Sequence, residues 1–131
     1  MVSRTTIVSS NGPAPAGAYS PALALGDWVF VSGQGGFDPA TGKLVSDEIE
    51  GQTEQTFKNI EALLAEAGAT RRDIVSCVVH LADLGDFAGY NAAYGRLFAD
   101  GPQPVRTTVG AALLANMLVE VTVIAHRGSD T

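Results

Sequence analysis

Two stretches late in the chain alternate with a period of two and are rich in β-branched residues. They are Pro104-Val105-Arg106-Thr107-Thr108-Val109-Gly110 and Leu118-Val119-Glu120-Val121-Thr122-Val123-Ile124. Both predict strands. In the first, Val105, Thr107, Val109 and Ala111 share one face, and Arg106, Thr108 and Gly110 the other. In the second, Val119, Val121, Val123 and Ala125 share one face, and Leu118, Glu120, Thr122 and Ile124 the other. If both valine faces cover the core, Arg106 and Glu120 project together from the opposite face of one sheet. On pattern alone this is either a surface ion pair, worth about 0–1 kcal/mol, or part of a subunit contact or ligand cleft. Ile124, Leu118 and Gly110 make that face too apolar for open solvent, which favours a contact or a cleft.

The rest of the pattern fills in an order of elements. Thr5-Thr6-Ile7-Val8 predicts a short first strand. Ala22-Leu23-Ala24-Leu25 and Trp28-Val29-Phe30-Val31-Ser32, joined at Gly26-Asp27, predict a hairpin. Pro21 argues that its part of the first hairpin strand lies on an edge or at a bulge. Gly33, Gly35 and Gly36 flank Gln34. They serve either close approach to a ligand or unusual dihedrals at a strand end, and without a helix at phosphate-loop spacing they do not form a nucleotide loop. From Ile49 to Ala67, apolar residues at Phe57, Ile60, Leu63, Leu64 and Ala67 predict a helix with one buried stripe, stopped at Gly68. Thr70-Arg71-Arg72-Asp73 has the capping-box pattern. Ile74 to Leu81 predicts an apolar strand covered on both faces. Asp83 and Asp86 open a second helix with Phe87, Tyr90, Tyr94, Leu97 and Phe98 on one side and Asn91 beside them. The order strand, strand, strand, helix, strand, helix, strand, strand predicts an α+β layer, with two helices on one sheet face. The opposite face is left for other subunits to cover.

Composition narrows the classes. The 131 residues suit one domain, and charged residues are only 17% of them, below the ~25% of ordinary soluble domains. That shortage also points to surface buried in an oligomer. Net charge is −6 without a basic run, which argues against a duplex or anionic membrane surface as partner. No stretch approaches the ~20 apolar residues of a spanning helix. The segment Met1 to Val8 lacks the apolar core of a signal peptide, so a cytoplasmic location is expected. The single cysteine, Cys77, excludes an internal disulfide and is expected to be a small buried apolar residue. His80 and His126 have no Cys or carboxylate at ligand spacing, so no metal site is expected.

Several segments together resemble a known family. They are Gly17-Ala18-Tyr19-Ser20, Val31-Ser32-Gly33-Gln34, Asp83-Leu84-Gly85-Asp86-Phe87, Asn91-Ala92-Ala93-Tyr94, Pro104-Val105-Arg106 and Val119-Glu120-Val121. Their order and spacing are specific. The strongest element is Pro-x-Arg followed fourteen positions later by a glutamate between apolar residues. The chain resembles the Rid family (RidA/YjgF) of reactive intermediate deaminases, also labelled endoribonuclease L-PSP, nearly end to end. The resemblance implies a single domain over 1–131, a mostly antiparallel sheet of chorismate-mutase-like fold, and a homotrimer with clefts between subunits. It implies hydrolysis of enamines and imines such as 2-aminoacrylate, 2-iminopropanoate and 2-iminobutanoate to 2-keto acids and ammonia, without metal or organic cofactor. Matched position by position, Arg106 corresponds to the carboxylate-binding arginine and Glu120 to the glutamate that positions water. Tyr19, Ser32, Gly33 and Asn91 correspond to residues lining the cleft. The chain departs from the pattern at three places. Thr108 stands where many members have a cysteine, Thr122 where archetypal members have a second glutamate, and Leu114-Ala115-Asn116 where they have a proline in the turn. These departures bear on subgroup and substrate range.

The residues support that chemistry on their own terms. A guanidinium is always charged and offers paired, coplanar donors to a carboxylate. A carboxylate can orient a water and take its proton. Three other readings compete. A non-catalytic trimer could sense 2-keto or 2-imino acids through the same Arg106, although retention of Glu120 favours catalysis. A ribonuclease is disfavoured by the acidic charge, and a chorismate mutase by the single cation available for a dianion.

Overall fold

The computed structural model describes residues 2–128. Met1 and residues 129–131, and with them the start of the segment from Met1 to Val8 and both ends of the 1–131 domain assignment, lie outside the described residues. Six strands form one sheet: β1 (Arg4–Ile7), β2 (Ala22–Leu25), β3 (Trp28–Gln34), β4 (Ile74–Leu81), β5 (Val105–Gly110) and β6 (Val119–His126). The spatial order is β1-β2-β3-β6-β4-β5. Every neighbouring pair is antiparallel except β4 and β5, which run parallel. Two helices, α1 (Ile49–Glu66) and α2 (Phe87–Leu97), complete the α+β layer in the order the periodicities predict.

The register explains what is buried. Ile7, Ala22, Val31, Val123, Cys77 and Arg106 lie opposite one another in turn across the six strands. Residues directly paired point to the same side of a sheet. The first five of this row are buried, so the row marks the face that packs on the helices. From α1, Phe57, Ile60, Leu63 and Leu64 come down on this face almost without solvent contact. Each contributes about 1.5–3 kcal/mol by burial. From α2, Tyr94 meets Phe57 edge-on at 5.7 Å, and Phe98, which caps that helix, does so at 5.5 Å. Helix α1 ends where Gly68 turns left-handed (φ 75°) and the Ala69 N–H donates back to the Leu64 carbonyl, as a glycine stop should. The Thr70 and Asp73 box closes as expected.

Three expectations fail, each for a topological reason. Strand β5 does not turn its valine face to the core. It is an edge strand beside β4, and its register turns Arg106 toward the helices and Val105 and Val109 toward the open face. Arg106 and Glu120 therefore stand on opposite faces. Strand β4 is not covered on both faces within the chain: Cys77, Val79 and Leu81 are buried, whereas Val78 is exposed. Pro21 sits neither on an edge strand nor within a bulge. It immediately precedes the interior strand β2, beyond the last β1–β2 pair, Ile7 with Ala22.

The open face carries Leu23, Phe30, Val78, Val109 and Ile124 and is covered by neither helix. Its apolar character agrees with the low charge content of the sequence.

Candidate functional site

Glu120 is the second residue of β6 and points to the open face. Across from it on one side is His80 of β4. On the other side β3 bulges between Val31 and Gln34, and Gly33 comes under the Glu120 side chain. A Cβ on Gly33 would lie 2.8 Å from the Glu120 carboxyl carbon, so any larger residue there would push the carboxylate aside. The glycines around Gln34 thus serve packing. Gly35 makes room for Met117, and Gly36 for the backbone of Gln52.

Ser32 holds the incoming loop beside this carboxylate. Its hydroxyl donates to the Ser20 carbonyl at 2.7 Å and its N–H to the Pro21 carbonyl at 2.9 Å. Tyr19 folds back within that loop, where its hydroxyl accepts from the Ala16 N–H at 3.0 Å. Tyr19, Gly33 and Glu120 share the wall of a cavity of about 480 Å³, whose other walls include Phe37, Leu114 and Met117. Ser32 does not line it.

Arg106, Thr108 and Asn91 form a separate group at the β5 edge. The Arg106 guanidinium donates to Asn91 Oδ1 at 2.9 Å. Its central carbon lies 4.7, 5.4 and 5.8 Å from the ring centres of Tyr94, Tyr90 and Phe87. Those rings and Asn91 occupy positions i, i+3, i+4 and i+7 of α2 and so share one helix face. Cation–π attraction of about 0.5–1 kcal/mol per exposed contact fixes the side chain before any ligand arrives. Thr108 Oγ1 lies 3.5 Å from the Tyr90 hydroxyl. Burial pushes the Tyr90 hydroxyl pKa up, and Thr108 and Arg106 pull it back. Cys77 is the β4 partner of Arg106. It is buried, and desolvation pushes its thiol to about 11.

The two groups are well separated. Arg106 pairs with Cys77 and Glu120 with His80 on the same strand, β4. Two strand spacings across and three residues along give Cα positions about 14 Å apart, and the side chains leave opposite faces. A small acid cannot touch both within one chain.

Reading apolar positions alone missed the polar residues that set this geometry. Gln52 and Asn59 lie on the buried stripe of α1. Asn59 donates to the Gly35 and Phe37 carbonyls at 2.9 and 2.8 Å, fixing the cavity floor. Gln52 donates to the Ser46 carbonyl and accepts from the Leu118 N–H, anchoring the approach to Glu120. Their spacing of seven, in step with Phe57, Ile60, Leu63 and Leu64, was the available signal. Among the described residues, no group of His, Cys, Asp and Glu is placed to hold a metal, and no helix is long and apolar enough to cross a membrane.

Residues 9–127 match the family model described as Endoribonuclease L-PSP. A RutC family protein of Pyrococcus abyssi is 38% identical over 127 residues, which cover 96% of this chain and 99% of that one. The chloroplastic Reactive Intermediate Deaminase A of Arabidopsis thaliana is 39% identical, with 95% of this chain and 66% of that one covered. The crystal structure of YyfA from Yersinia pestis, of the conserved Rid protein family, superposes with a TM-score of 0.91 at 36% identity, covering 95% and 99% of the two chains.

Proposed function

We propose, from the premise that the chain belongs to the Rid (YjgF, endoribonuclease L-PSP) family, that it hydrolyses reactive 2-imino acids and their enamine tautomers to 2-keto acids and ammonia. The observation that carries this reading is the pairing of a prearranged cation with a cavity-facing carboxylate. Arg106 is held by three rings and Asn91, and Glu120 lies over Gly33 in the cavity wall. Because the two leave opposite faces of one chain, the working site takes Arg106 from one copy and Glu120 from the next. A cyclic homotrimer supplies three such sites and covers the apolar open face.

In this site the substrate carboxylate docks on the Arg106 donors, with Asn91 and Thr108 beside them. Tyr19 and Gly33 border the opposite side, and Ser32 holds their loop. Glu120 orients a water and takes its proton as the oxygen bonds to the imine carbon. The C=N electron pair moves to nitrogen, which gains a proton. The carbinolamine then releases ammonia as its C–N bond breaks and the C=O bond forms. Such base catalysis contributes about 100- to 10,000-fold, and the step needs no redox partner.

RNA cleavage is not part of the proposal. The chain carries a net charge of −6, and among the described residues the ionic side chains on the cavity wall are Asp38 and Glu120. A polyanion needs cations along its path.

The test generates 2-aminoacrylate or 2-iminobutanoate with a dehydratase in the presence of semicarbazide. Protein that lowers semicarbazone yield and raises 2-keto acid catalytically supports the proposal. Stoichiometric capture without turnover would favour the sensor reading. Sedimentation in the same buffer should show a trimer, and a stable monomer at micromolar concentration would remove the shared site.

A further inference from the structure

The cavity beside Glu120 is far larger than a three-carbon acid requires. Its volume, about 480 Å³, falls in the ~300–1,000 Å³ class that accepts drug-sized ligands. Its larger apolar side chains include Pro13, Pro15, Phe37, Leu114 and Met117. Its polar side chains other than Glu120 are engaged locally. The Tyr19 hydroxyl accepts from the Ala16 N–H, Asp38 Oδ1 accepts from the Ala40 N–H, and Gln34 donates to the Ser32 carbonyl. Among the described residues no Lys or Arg lines the cavity, and two carboxylates do.

Leu114 adds an independent observation. It is 82% exposed at the cavity rim, and the two residues after it, Ala115 (φ 53°) and Asn116 (φ 60°), are both left-handed. Left-handed alanine is costly, and strain of this kind persists where surrounding structure enforces it, often at ligand-facing turns. The turn holds a large apolar side chain out toward the cavity mouth.

We infer that this cavity is the subsite for a large apolar substrate side chain, so that the chain favours the 2-imino acids of leucine- or phenylalanine-sized amino acids over three-carbon ones. The inference rests on the deaminase reading above. With the carboxylate on Arg106 of one copy and the imine carbon beside Glu120 of the next, the side chain enters the apolar space behind Glu120. Acidic side chains are rejected by Asp38 and Glu120.

The experiment uses a broad-range amino-acid oxidase with catalase to release the imines of alanine, leucine, phenylalanine, glutamate and arginine, with semicarbazide as the competing trap. Expected kcat/KM for the leucine and phenylalanine imines exceeds that for the alanine imine by at least about tenfold, the scale on which apolar pockets sort methylenes. The glutamate imine is slowest. Leu114→Asp and Pro15→Glu, both outside the sheet strands and α1 and α2, each shrink the leucine-to-alanine ratio several-fold in protein that sediments as wild type. An alanine or arginine imine as fast as that of leucine overturns the inference, as does an unchanged ratio in both variants. In those cases deamination still stands. Absence of turnover on every imine removes the deaminase reading and this subsite with it.

Discussion

Glu120 lies flat over Gly33, its Oε1 only 3.1 Å from where a Cβ would project. The contact fixes the height of the carboxylate above the sheet. Gly33→Ala should lift it without unfolding the chain, because Gly33 is not in the left-handed region. A displacement near 1 Å can cost about 100-fold in rate. We expect kcat to fall ten- to a hundredfold, with circular dichroism and sedimentation unchanged. Wild-type kcat in this variant would mean that the position of Glu120 does not matter.

Glu120→Gln keeps the shape and removes the base. If Glu120 acts on water and not on the substrate carboxylate, kcat should drop by roughly 100-fold or more. Affinity for a 2-keto acid product, measured by calorimetry, should change little. Turnover at the wild-type rate would return the protein to the sensor class.

Most of the fold was legible because periodicity and punctuation agree. The α1 stripe, the Gly68 stop, the Thr70 box and the Gly26-Asp27 hairpin each rest on short-range chemistry. The face of Arg106 was not legible. Alternation shows that Val105, Thr107 and Val109 share a side, but the core side depends on which strand is the neighbour. Valine toward the core is correct for β6, an interior strand, and wrong for β5, an edge strand. There α2 covers the Arg106 face instead, and Val105 is 72% exposed. Gln52 and Asn59 escaped for a related reason: their partners are loop carbonyls that only the tertiary fold brings near.

Asn59 should be a stability residue with a functional echo. Its amide is buried and serves two carbonyls, of Gly35 and Phe37. Asn59→Ala leaves both unpaired, at about 1–3 kcal/mol for a buried unsatisfied group. Urea unfolding should show that loss with an unchanged m-value. The cavity wall at Phe37 should also loosen, raising KM more than it lowers kcat. A stability change under about 0.5 kcal/mol would mean that water replaces the amide.

Cys77 should be inert. Its thiol is raised to about 11 by burial, so alkylation of the folded protein at pH 8 should be negligible, and Cys77→Ala should keep turnover. The thiol also sets a linkage. It holds its proton in the folded chain to about 11, whereas the reference value is 9.0. The unfolded chain releases that proton first, so this contribution to stability is full below about pH 9 and lost as pH rises toward 11. Cys77→Ala should remove that slope from the alkaline limb of a denaturation profile. Loss of turnover in folded Cys77→Ala would expose a missed nucleophile.

Arg106 and Glu120 allow a test of the shared site itself. If the shared cleft is dry and Arg106 binds the substrate carboxylate there, removing one member of that buried charge pair costs about 3–5 kcal/mol. At 1.36 kcal/mol per decade, Arg106→Ala should lose roughly two to four decades of kcat/KM. Arg106→Lys should recover only part, because an ammonium cannot make the planar paired contact. Each variant alone, Arg106→Ala or Glu120→Gln, leaves every site defective. If the site lies between copies, co-refolding the two variants creates sites in which the first chain gives Glu120 and the second gives Arg106. Random assortment in a cyclic trimer makes about one site in four intact. Activity of the mixture should therefore rise to about a quarter of wild type, well above either parent. A mixture no more active than its parents, with mixed trimers shown by mass spectrometry, would place both residues of a working site in one chain. The opposite-face geometry of the sheet would then have to be abandoned as the basis of the mechanism.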